Sequence, residues 1–136
     1  MMTYLVDRYS PGHSLYPKDV QTRAKIDNIL YFDASTLFPA MMRVLRPKIF
    51  FQQEPSQELI DNFNEKLSIF EKLLAEQKFI TGEQPVLADI SIATIYPLVM
   101  THQESLLTPK SIDYFKRVED AVPELRNLNW LRKDRQ

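Results

Sequence analysis

The sequence predicts an all-α fold, a helical bundle around one buried central helix. Three observations carry this expectation. Apolar residues recur at helical spacing along most of the 136 residues. Glycine occurs only at Gly12 and Gly82, too rarely for a turn-rich β fold or a glycine-rich phosphate loop. Residues 87–101 are apolar on nearly every side, as expected of a helix surrounded by others.

The elements follow in chain order. Residues 2–9 place Met2, Leu5, Val6 and Tyr9 on one face of a short helix that stops at Ser10-Pro11-Gly12. His13 to Pro17 reads as a linker. Asp19 has the chemistry of an N-cap for a long helix carrying Ile26, Ile29, Leu30, Leu37, Met41, Val44 and Leu45 at helical spacing. Pro39 should kink or divide that helix, and Pro47 should end it. Ser56 is a good N-cap for the next one, whose stripe is Leu59, Phe63, Leu67, Phe70 and Leu74. A loop from Gln77 to Pro85 precedes the buried helix, whose last turns Pro97 should bend. Thr108-Pro109 then reads as an N-cap followed by proline at the first helical position. The inner face of that helix is Ile112, Phe115, Val118 and Val122. A short helix is expected from Pro123 to about Trp130, with Arg132 to Gln136 frayed.

Composition excludes several classes of function. The formal charge is −1, from 17 basic and 18 acidic residues, so nothing electrostatic points to nucleic acid or an anionic membrane as partner. Cysteine is absent, which removes disulfides, thiolate nucleophiles and cysteine metal sites. His13 and His102 lie far apart and lack metal-ligand spacing to any partner, so each reads as a loop or surface histidine. No catalytic residue and no metal site emerges. The start of the chain resembles no secretory signal and no apolar run is long enough to span a membrane, so the cytosol is the expected location. The interrupted run Arg132-Lys133-Arg135 reads as a solvated tail.

Several segments together resemble one family. Tyr4-Leu5-Val6-Asp7-Arg8-Tyr9, Ser14-Leu15-Tyr16-Pro17-Lys18-Asp19 and Arg23-Ala24-Lys25-Ile26-Asp27 are similar to the domain junction of insect-type delta and epsilon glutathione transferases. Leu30-Tyr31-Phe32-Asp33 resembles the first long helix of their C-terminal domain. Phe79-Ile80-Thr81-Gly82 with Leu87-Ala88-Asp89-Ile90 resembles their turn into the central helix. The similarity runs from about Tyr4 to Trp130.

That resemblance implies a division of the chain. Residues 1–17 would be the end of a thioredoxin-like domain plus linker, and residues 18–136 the helical domain. The γ-glutamyl-holding pair would lie just upstream of Met1, and the catalytic hydroxyl further upstream. Glutathione would therefore be the co-substrate of a complete enzyme, with no cofactor bound by this chain. Met41, Met42, Leu45, Ile49 and Phe50 would line the pocket for an apolar electrophile, as part of a detoxifying homodimer. Periodicity alone reads the same five residues as ordinary core. Asp89 would be a structural helix cap, with half of the usual capping box lost because Val86 stands where a Ser or Thr is expected. Without its neighbour, the exposed apolar surface should favour self-association. A stand-alone ligand-binding module and a protein-assembly module are the rival readings.

Overall fold

A computed structural model describes residues 1–128 of the chain. The elements are α1 (Met2–Tyr9), α2 (Val20–Phe32), a π turn (Asp33–Leu37), α3 (Phe38–Phe51), α4 (Gln57–Leu74), α5 (Leu87–Ala93), α6 (Tyr96–His102), a 3-10 turn (Glu104–Leu106), α7 (Pro109–Ala121) and α8 (Glu124–Leu128). No strand forms among the described residues, and the fold is all-α.

The caps form where the side chains allow. Asp19 Oδ2 accepts the Thr22 N–H at 2.8 Å, and Thr108 Oγ1 accepts the Ser111 N–H at 3.1 Å. Ser56 Oγ accepts more distantly, at 3.4 Å from the Leu59 nitrogen. Each satisfies a backbone donor that a helix start leaves free.

Pro39 acts one turn upstream. The Phe38 N–H bonds to the Asp33 carbonyl five residues back, and the helix widens into a π turn there. Proline lacks the next N–H and crowds the carbonyl four residues before it, so the turn opens rather than breaks. Pro47 behaves otherwise than expected. It sits inside α3, which continues to Phe51. The flanking Val44 and Leu45 are buried, so packing holds the helix through one missing hydrogen bond. Termination comes instead from Gln52 in a left-handed conformation, with the N–H groups of Gln52 and Gln53 capping the Pro47 carbonyl.

The central segment also departs from expectation. Rather than one bent helix over 87–101, it forms α5 and α6 with a break at Thr94 and Ile95. The break lies beside Ala93, whose carbonyl is four residues before Pro97. Tight bonds from the Thr94 and Ile95 N–H groups to Ser91 and Ile92 replace the helical ladder.

α5 packs against α2 and α7, α6 against α3, and α3 against α4. Met41, Leu45, Phe63, Phe70, Ile92, Tyr114 and Phe115 are almost wholly withdrawn from solvent and form the centre of the core. Each such side chain contributes about 1.5–3 kcal/mol of transfer free energy. The short helix after Pro123 is seen as α8. The expectations for Trp130 and for Arg132 to Gln136 lie outside the described residues.

Candidate functional site

The apolar residues of α3 lie at different depths. Met41 and Leu45 are entirely buried and point into the core. Met42 and Ile49 are half-buried, and Phe50 is 65% exposed. Phe38, 42% exposed, stands at i, i+4, i+7 and i+11 with Met42, Leu45 and Ile49, so the four share one stripe that is closed over Leu45 and partly open elsewhere, with Phe50 about a quarter turn away. Phe38, Met42, Ile49 and Phe50 thus stay partly accessible, while Met41 and Leu45 are closed off. Flexible methionine beside aromatic rings makes a surface that accommodates apolar shapes. Phe38 was missed in the sequence, although its i, i+4 relation to Met42 marks it.

Just before this face, the π turn carries Asp33, a buried carboxyl. Its Oδ2 accepts the Ser91 hydroxyl at 2.6 Å, and its buried Oδ1 has no partner. Burial pushes the carboxyl above its ordinary range, while the Ser91 bond pulls it down. Close by, a cleft of about 400 Å³ opens between the start of α1 and α2; Tyr16, Asp27, Tyr31 and Ser91 are among its walls. Nothing in the local sequence pattern marks Asp33, because its partner lies 58 residues away.

Asp89 is wholly buried near the start of α5. Its Oδ2 accepts the Val86 N–H at 2.8 Å. Oδ1 accepts the Ile80 N–H at 3.1 Å and the Tyr114 hydroxyl at 2.7 Å. Val86 offers no side-chain acceptor, so the reciprocal half of a capping box is missing. Burial raises the Asp89 carboxyl, and the bonds from Tyr114, Val86 and Ile80 oppose it. The Tyr114 hydroxyl is pushed well above its ordinary 10.0, by burial first and by the neighbouring carboxylate second. All three donors to Asp89 belong to the chain's own scaffold. Neither histidine approaches these sites in role: His13 Nδ1 accepts the Leu15 N–H at 3.1 Å in the exposed linker, and His102 closes α6.

Comparison with known proteins sets this geometry in context. Residues 34–127 match the family described as glutathione S-transferase, C-terminal domain. Glutathione S-transferase D6 of Drosophila melanogaster is 30% identical over 124 residues, which cover 90% of this chain and 58% of that protein. Glutathione S-transferase D7 of the same fly is 37% identical over 90 residues, covering 65% and 40%. Among solved structures, Bombyx mori glutathione transferase BmGSTD1 superposes with a TM-score of 0.78 at 30% identity, covering 92% of this chain and 57% of that one. An epsilon-class glutathione S-transferase from the housefly, Musca domestica, gives 0.70 at 32% identity, covering 94% and 63%. The chain spans about half the length of the curated relatives it matches. With the all-helical fold and the match over residues 34–127 agreeing, the chain belongs to the glutathione S-transferase C-terminal domain family.

Proposed function

We propose that this chain supplies the electrophile pocket of a glutathione transferase, completed by a thioredoxin-like domain and inactive alone. The observation that carries the reading is the apolar surface of α3, where Phe38, Met42, Ile49 and Phe50 are left partly open to solvent above a closed core. In this reading residues 1–17 are the end of the glutathione-binding domain plus linker, and residues 18–136 the helical domain. Glutathione is the co-substrate of the whole enzyme, held beside an apolar electrophile so that thiolate and electrophile meet at high effective concentration. Asp33 fits the same arrangement: a buried carboxyl oxygen without a donor, beside the cleft at the start of α1, suits a hydrogen-bond donor brought by a docked neighbour. Asp89 is structural, since every donor it engages is scaffold.

Other parts of the reading follow. Detoxification in the cytosol and homodimer formation belong to the complete enzyme. Alone, the chain leaves Tyr4, Leu5, Tyr9, Phe38 and Phe50 exposed, which favours self-association. A stand-alone ligand-binding or assembly module is the second reading, favoured by a core that closes without help from another domain. Calorimetric titration separates the readings at one step. The isolated chain should bind no glutathione; micromolar binding at a defined site would mean that the cofactor pocket lies within this chain.

A further inference from the structure

α1 buries none of its residues completely, and only Met2 and Val6 pack partly against the core. A helix of eight residues is not stable in water by itself. Among the described residues, α1 makes its side-chain hydrogen bonds to the rest of the chain through Asp7 alone, and the donor is Arg23 on α2. Arg23 uses its whole guanidinium. Nη1 and Nη2 donate to the two Asp7 oxygens at 3.1 and 2.5 Å. Nε donates to the Pro17 carbonyl at 2.5 Å, and Nη2 also reaches the Tyr16 carbonyl at 3.3 Å. The same group lies 4.1 Å from the centroid of the Tyr16 ring. Tyr16 is itself fixed, with its ring buried and its hydroxyl donating to Asp27 at 2.9 Å.

We infer that Arg23 is a clamp that sets the angle of α1 and its linker against the helical body. From α2, one planar fork engages two other segments at once: a carboxylate on α1, and in the linker two carbonyls and the Tyr16 ring. An isolated surface ion pair does little. This one is bidentate, stacked on an aromatic face and tied to backbone, the arrangement in which arginine cannot be replaced by lysine. The linker has its own tie to the body through the Leu87 N–H and the Leu15 carbonyl at 3.0 Å, so α1 is the part that depends most on the clamp. The device lies within this chain and operates whether or not a second domain docks.

Amide hydrogen exchange on the whole chain tests it, with Asp7→Asn, Arg23→Met and Arg23→Lys compared with wild type. Asp7→Asn should speed exchange in α1 about tenfold while the Tyr16 amide and α4 keep their protection. Arg23→Met should loosen both α1 and the linker, and Arg23→Lys should behave like Arg23→Met. Unchanged α1 protection in Asp7→Asn would overturn the clamp, as would full protection in Arg23→Lys. So would α1 amides that are already unprotected in wild type. Equal loss of protection across α1, α4 and α7 in Asp7→Asn would also overturn it, by showing that the pair supports the whole fold.

Discussion

The Tyr114 hydroxyl donates to Asp89 Oδ1 at 2.7 Å, bridging 25 residues of sequence inside the core, where both side chains are fully shielded from water. The same carboxylate takes the Ile80 and Val86 N–H groups, so one side chain joins the 79–82 turn, the start of α5 and the middle of α7. Asp89→Ala would strand three buried donors and should destabilise the fold by about 3 kcal/mol or more. Tyr114→Phe removes one donor and should cost about 1 kcal/mol. Urea unfolding measures both, and an Asp89→Ala protein within about 0.5 kcal/mol of wild type would refute the staple.

Asp33 makes stability depend on pH with a definite sign. Burial raises its folded-state carboxyl above the ordinary 3.8. In the window between those two values the folded state holds more protons than the unfolded one, so stability falls as pH rises. The contribution is complete below about 3.8 and is lost as pH climbs through the raised folded value. Stability of wild type relative to Asp33→Asn should therefore increase on acidification through this window. Thermal unfolding of the two proteins at matched pH values checks it, and a parallel pair of curves would contradict the assignment.

The closed and the open apolar residues of α3 should respond differently to truncation. Met41→Ala and Leu45→Ala open cavities in the core and should each cost about 2–5 kcal/mol. Met42→Ala and Phe50→Ala remove partly exposed atoms and should cost well under half of that. They should instead weaken binding of an apolar fluorescent dye. A Phe50→Ala protein that binds dye as wild type does would remove Phe50 from the site.

Ala75 ends α4 with φ 52° and ψ −132°, a region that suits glycine rather than a residue with Cβ. Ala75→Gly should stabilise the chain by about 1 kcal/mol, with relief of the backbone clash exceeding the added chain entropy. A lower melting temperature in this variant would show that the α4 end adopts another turn.

Much of this architecture was legible because it is local. Asp19, Ser56 and Thr108 cap helices through bonds reaching three residues, and the α4 stripe needs only helical periodicity. Proline effects were legible in kind but not in place. Pro39 and Pro97 act on the turn before them, where the missing N–H and crowded carbonyl are felt. Pro47 is tolerated because its neighbours are buried, a tertiary fact absent from the local pattern. For the same reason the five α3 residues could not be sorted into Met41 and Leu45 inside and Met42, Ile49 and Phe50 nearer the surface. Asp33 with Ser91 and Asp89 with Tyr114 join residues 58 and 25 positions apart, and only the packed bundle brings them together.

If this chain completes a conjugating enzyme as proposed, one measurement shows it directly. A family thioredoxin-like domain would be fused ahead of Met1, and glutathione conjugation to a nitro-activated aryl chloride followed by absorbance. The chain alone and the thioredoxin-like domain alone are the references. Turnover in the fusion should lie well above both references and fall in Phe50→Ala with glutathione affinity unchanged. A folded fusion that binds glutathione yet conjugates no faster than its isolated parts would contradict the proposal.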